Sequence, residues 1–159
     1  MSVRLAKAGD APAIAVIWNR IIRETLATFT TVEKDADALA ETIRTEPKRW
    51  CVATVESVVV GFACYSQFRG GPGYAHSMEY TVHLAEAARQ RGLGRALLTA
   101  IERAAKAEGA HSLYGGVSGA NPEGLAFHAK TGFTLLAILP EVGRKKDQWI
   151  DLHLYQKFL

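Results

Sequence analysis

The densest grouping of chemically useful residues is Arg89-Gln90-Arg91-Gly92-Leu93-Gly94-Arg95-Ala96. Two glycines at i and i+2 permit a tight turn and leave no Cβ to obstruct a ligand. The apolar period that follows, Leu97, Leu98, Ile101, Ala104 and Ala105, predicts a helix over 93–108. Its first N–H groups have no intrahelical partner and point back at the turn. Bare amides flanked by arginines suit phosphate oxygens, so a pyrophosphate is the expected occupant. Glu79 lies just upstream in an apolar strand, where an ionisable group is costly unless used or paired. Strand alternation sets Glu79, Thr81 and His83 on one face and Met78, Tyr80, Val82 and Leu84 on the other. Glu79 is the candidate general base, acting through water or with a raised pKa; pairing with Arg69 is its structural alternative.

Other phosphate motifs fail. A Walker loop ends in Gly-Lys-Ser/Thr, and this turn ends in Gly94-Arg95-Ala96. A Rossmann turn needs a small residue where Leu97 stands, and follows the first strand rather than the fourth. The remaining pattern is R/Q-x-x-G-x-G/A, met by Arg89, Gly92 and Gly94. Arg69 is a bidentate partner for a substrate carboxylate or a surface arginine of a mobile loop. Phe29 and Tyr74 offer apolar walls. His128 and His83 are candidate proton-transfer groups, or simply packed side chains. His76, His111 and His153 lack metal-ligand spacing, and no metal is expected.

These residues need a scaffold. The sequence predicts strands at 3–7, 50–56, 58–65, 74–84, 112–117, 135–139 and 148–156. Helices are predicted at 10–25, capped by Asp10, from a cap at Asp35 to before Pro47, at 93–108, and at 122–131. Arg144-Lys145-Lys146 reads as a solvated loop between the last two strands. The order β-α-α-β-β-β-α-β-α-β-β is that of an α/β chain with a mixed sheet, in one domain over 1–159. At 159 residues and 48% hydrophobic, a full core is affordable. A net charge of +3 is too weak and too evenly spread for nucleic acid. Cys51 and Cys64 read as core thiols of a reducing compartment. No apolar run suits a membrane span or a signal peptide, so a cytoplasmic protein is expected.

The glycine turn, the element order, Asn121 and His128-Ala129-Lys130-Thr131-Gly132-Phe133 together resemble the GNAT superfamily of N-acetyltransferases. Trp18-Asn19, Ala27-Thr28-Phe29, Glu79-Tyr80-Thr81-Val82, Asn121-Pro122 and Gly143-x-Lys145-x-x-x-Trp149-x-Asp151-Leu152 resemble its phosphinothricin/methionine sulfoximine acetyltransferase branch. The resemblance implies a GNAT fold, a mostly antiparallel sheet of about seven strands flanked by about four helices. It implies acetyl-CoA as co-substrate, held by backbone groups of Val82, His83 and Leu84, by Arg89, Gln90, Arg91, Gly92, Leu93, Gly94 and Arg95, and by Asn121. Phe29, Arg69, Gly71, Gly73, Tyr74 and Glu79 would border the amine. His128 stands where many relatives protonate the leaving thiolate with a tyrosine. His83 replaces a common tyrosine, and Lys146 a common aromatic. The implied reaction is direct N-acetylation of the α-amine of a small amino acid or analogue in a ternary complex. The alternatives are a peptide N-terminus or polyamine as acceptor, or a non-catalytic acyl-CoA-binding regulatory module. Homodimers are common in the family.

Overall fold

The computed structural model describes all 159 residues. Seven strands form one sheet in the order β1-β2-β3-β4-β5-β7-β6. They are β1 (Ser2–Leu5), β2 (Trp50–Val55), β3 (Val58–Gln67), β4 (Ser77–Leu84), β5 (Ser112–Ser118), β6 (Thr134–Lys145) and β7 (Gln148–Phe158). The helices are α1 (Ala11–Glu24), α2 (Ala36–Thr45), α3 (Leu93–Ala107) and α4 (Pro122–Ala129). Every neighbouring pair of strands is antiparallel except β4 and β5. This is the mixed α/β arrangement expected from the sequence.

Alternation along each strand divides the core in two. Trp50, Val52, Phe62 and Cys64 face Ile14, Ile17 and Ile21 of α1 and Leu39 and Ile43 of α2. Cys51, Ala53, Ala63, Tyr65, Met78 and Tyr80 face Leu93, Leu97, Leu98, Ile101 and Ala105 of α3. Isoleucine is a mediocre helix former, at a cost of a few tenths of a kcal/mol each. Burying each is worth about 2 kcal/mol, so packing decides the α1 register.

The consequential irregularity lies in the middle of the sheet. β4 and β5 pair only from Ser77↔Ser112 to Glu79↔Tyr114. Beyond that point β4 stays paired with β3 and β5 with β7, but the two no longer bond to each other. A V-shaped opening results, with Glu79 at its apex and the start of α3 following its β4 arm. The register of β3 with β4 is unbroken from Gln67↔Met78 to Gly61↔Leu84. Ser77 accepts from Phe68 N–H at 2.9 Å and Ala85 N–H donates to Val60 at 2.8 Å, both on the β3 side. Alternation therefore turns the backbone groups of Tyr80, Val82 and Leu84 into the opening. Those of His83 turn to β3, which removes them from the expected cofactor set.

Several boundaries depart from expectation. β4 begins at Ser77 because Gly71, at φ +100°, and Pro72 start a tight 3-10 turn that takes up Tyr74. Asp10 does not cap α1 with its carboxylate, which instead bonds Arg4 at 2.7 and 2.9 Å and Lys7 N–H at 2.8 Å. The basic run is not a solvated loop. Arg144 and Lys145 belong to β6, Lys145 is 4% exposed, and only Lys146 and Asp147, with φ +49° and +59°, make the hairpin turn.

Candidate active site

The turn before α3 is left-handed at two places, Gln90 with φ +59° and Gly92 with φ +78°. Only Gly92 uses glycine's conformational freedom. Gly94 already lies in α3, where a Cβ would stand 3.4 Å from Phe127. The first intrahelical bond runs from Ala96 N–H to Gly92 O at 3.1 Å, leaving the N–H groups of Leu93, Gly94 and Arg95 free. A Cβ at Gly92 would meet nothing within 4 Å, so this side of the turn is open. Arg89, Gln90, Arg91 and Arg95 are exposed around it, Arg89 bonding Glu123 at 3.1 Å and Arg95 the Lys130 carbonyl at 2.7 Å. Leu93 turns its side chain into the core. Asn121 Oδ1 accepts from Gly124 N–H at 3.0 Å and so caps α4.

Glu79 is half-buried, and burial raises its carboxyl above the usual range. It makes no ion pair with Arg69. A Cβ on Gly116 of β5 would stand 3.3 Å from Glu79 Oε1 and 3.3 Å from Leu152 Cδ1. The glycine makes room for the carboxylate on this face of the sheet. Its neighbour Gly115 does the same on the other face, where a Cβ would stand 3.0 Å from both Tyr80 Oη and His128 Nε2. The apex is thus thinned from both sides by two successive glycines.

The two histidines differ from free acid–base groups. His83 packs beside Trp18 and Phe62, with ring centroids 6.1 and 5.6 Å away. Burial, with a smaller effect of Arg89, lowers its pKa to about 4, so the ring is neutral at pH 7. His128 is 6% exposed among Tyr80, Phe127, Phe133 and Tyr155. Its Nδ1 lies 2.7 Å from Gly124 O and donates to it, so in the neutral ring Nε2 accepts from the Tyr80 hydroxyl. Burial lowers its pKa also. Both nitrogens are engaged and the ring is uncharged, which runs against a freely presented acid.

Residues 17–133 match the Acetyltransferase (GNAT) family. The chain belongs to that family. The L-amino acid N-acyltransferase MnaT of Escherichia coli (strain K12) is 32% identical, over 98% of this chain and 92% of that one. A ribosomal-protein-alanine N-acetyltransferase from Brucella melitensis superposes with TM-score 0.93 at 33% identity, over 100% of both chains. A GNAT superfamily phosphinothricin acetyltransferase from Sinorhizobium meliloti, crystallised with AcCoA, gives TM-score 0.92 at 28% identity, over 99% of this chain and 88% of that one. The present chain is accordingly an N-acetyltransferase.

In this acetyltransferase the expected amine-side residues divide into two groups. Arg69, Gly71, Gly73 and Tyr74 lie on an exposed loop before β4, which Gln67 Nε2 gathers by donating to Arg69 O at 2.6 Å and Gly71 O at 2.7 Å. The Arg69 guanidinium rests over Phe68, 5.6 Å from the ring centroid. Phe29 comes from the α1–α2 connection and lies on Gly143 of β6, where a Cβ would be 2.5 Å from the ring. Tyr80, Gly115, Gly116 and Lys145 join the site without being among the residues the sequence assigns to it. Adjacent glycines inside a strand were the available signal for close approach. Tyr80 stands out only within the family-like run Glu79-Tyr80-Thr81-Val82, which says nothing of a partner 48 residues away.

Proposed function

We propose that this enzyme transfers the acetyl group of acetyl-CoA directly to the α-amine of a small amino acid or analogue, phosphinothricin or methionine sulfoximine being the named candidates. The observation that carries the reading is the opening between β4 and β5, which leads from Glu79 along unpaired backbone to the bare amides of α3. The residues present fit the cofactor. Tyr80, Val82 and Leu84 offer backbone donors and acceptors for its pantetheine amides, and the Gly92 turn with α3 offers N–H groups and arginines for its pyrophosphate. When bound, acetyl-CoA supplies an activated acyl group on a thiol leaving group.

Glu79 takes the amine proton, directly or through water; its raised pKa strengthens it as a base. Backbone N–H groups along the opening stabilise charge on the carbonyl oxygen. A thiol of ordinary pKa near 8.5 leaves as a thiolate with little assistance near neutrality. We therefore assign His128 to holding Tyr80 at the apex, rather than to acid catalysis. Phe29 walls the amine site, and Arg69 and the 71–74 loop border its mouth, where a guanidinium suits a substrate carboxylate.

The cofactor half is tested by Gly92→Val. A β-branched residue at φ +78° is strained, and the turn relaxes away from the geometry that binds phosphate. Calorimetry is expected to show CoA binding weakened by roughly tenfold or more, since a strain of 1–2 kcal/mol must be met on binding. An unchanged Kd overturns the turn's role. A homodimer through edge strand β6 also belongs to this reading. Ile138, Val142 and the adjoining Trp149 are 50%, 54% and 60% exposed there, an unpaired apolar edge. Ile138→Lys should then shift sedimentation from dimer to monomer.

A further inference from the structure

The connection between α1 and α2 has no regular structure, yet it is fastened at several points, among them an Arg23–Glu33 ion pair. Thr25 Oγ1 accepts from Ala27 N–H at 3.1 Å. Asn19 donates to Lys34 O at 2.9 Å and accepts from Lys34 N–H at 2.7 Å. The middle fastening comes from across the molecule. Lys145, 117 residues away, donates from Nζ to Thr28 O at 2.8 Å and to Thr28 Oγ1 at 3.2 Å.

Lys145 is an unusual choice for a fastening. It is 4% exposed, it enters no ion pair, and its only Nζ contacts are an uncharged carbonyl and an uncharged hydroxyl. Burying an ammonium without a carboxylate is costly, and an apolar side chain of similar volume is the cheaper way to fill such space. What the ammonium provides is a directed pair of hydrogen bonds to one residue, and that residue precedes Phe29. Gly143, two residues before Lys145 on the same face of β6, receives the Phe29 ring. Gly143 pairs with Ile150, and Leu152, two residues on, flanks Gly116 with Glu79. Gly143, Ile150, Leu152 and Gly116 thus form one strip of sheet between Phe29 and Glu79. Lys145 holds the far wall of that strip, on the face opposite Tyr80 and His128.

We propose that Lys145 is a positioning residue that fixes the Thr28–Phe29 corner as the wall of the amine site, and thereby sets affinity for the amine and not for acetyl-CoA. The inference rests on the proposed transfer reaction for its amine half. Its structural half, the ordering of the corner, is independent of that reaction.

Lys145→Met keeps the aliphatic stem and removes the donors. The expected result is a rise of tenfold or more in KM for the amine, with KM for acetyl-CoA within twofold of the parent. Faster backbone hydrogen exchange should be confined to residues 26–31. Thr28→Val removes only the 3.2 Å bond and should raise amine KM about threefold, with no added effect in the Lys145→Met background. It carries the test if Lys145→Met does not fold. Equal rises in both KM values, or unchanged amine KM with unchanged exchange, overturn the proposal. The parent protein is assayed first with the amine panel. Absence of any acetylated product there overturns the proposed reaction, and the exchange measurement then decides the anchor alone.

Discussion

At the scale of single residues, one carboxylate is left in a costly state while its surroundings are satisfied. Glu79 has no cation to repay its burial, and its raised pKa has two consequences of opposite sign. Glu79→Gln should lower kcat by about 10²–10⁴-fold if the carboxylate is the base. It should also stabilise the fold near pH 7, because an ionised group with a raised folded pKa destabilises the native state above that pKa. This gain disappears as pH falls and Glu79 protonates in both states. Thermal unfolding of parent and variant at pH 7 and pH 4 measures it; a Glu79 held by a cation would show no gain, and a Glu79 outside the chemistry would show no kcat loss. His128 predicts the contrary pattern. With both nitrogens engaged, it should add no ionisation to the kcat/KM profile, whose acid limb then belongs to Glu79 alone.

Among the elements, β4 does the most. One face gives Met78 and Tyr80 to the α3 core and the other carries Glu79 and His83, while its even-numbered backbone groups serve the opening. His83 makes the strand acid-sensitive. Its folded pKa of about 4 lies below the ordinary value of 6.5, so the unfolded chain binds more protons between those pH values. Stability present above pH 6.5 should be lost as pH falls toward 4, by up to about 3 kcal/mol from this group. Urea unfolding at pH 7.5 and pH 4.5 tests this, and His83→Phe, which keeps an aromatic ring packed against Trp18 and Phe62, should flatten the difference.

The elements themselves were largely legible in the sequence, since hydrophobic period and turn residues are local signals. The left-handed Gln90, the early break before Ser77 and the burial of Lys145 were not. Each depends on what the chain meets elsewhere: the helix start, the Gly71-Pro72 turn, and a Thr28 carbonyl distant in sequence. The backbone direction of His83 was likewise hidden, because alternation becomes informative only once the partner strand on each side is known.

Across the whole molecule, the sheet is a clamp whose two halves are joined by a short parallel pairing at Ser77–Glu79. Glu79, the opening and the turn follow one another along β4 and the start of α3, while Phe29 approaches from the sheet face occupied by α1 and α2. The family signature lies in the local motif and in pieces spread along the chain. Fold-level likeness does not fix the acceptor, because folds host many functions and the site decides among them. The decisive measurement is thiol release from acetyl-CoA across a panel of phosphinothricin, methionine sulfoximine, small L-amino acids, an N-terminal peptide and a polyamine, run with parent protein and Glu79→Gln. Release with the amino-acid α-amines, suppressed at least a hundredfold by Glu79→Gln, is the predicted result. Release only with the peptide or polyamine, or release indifferent to Glu79, would contradict the account.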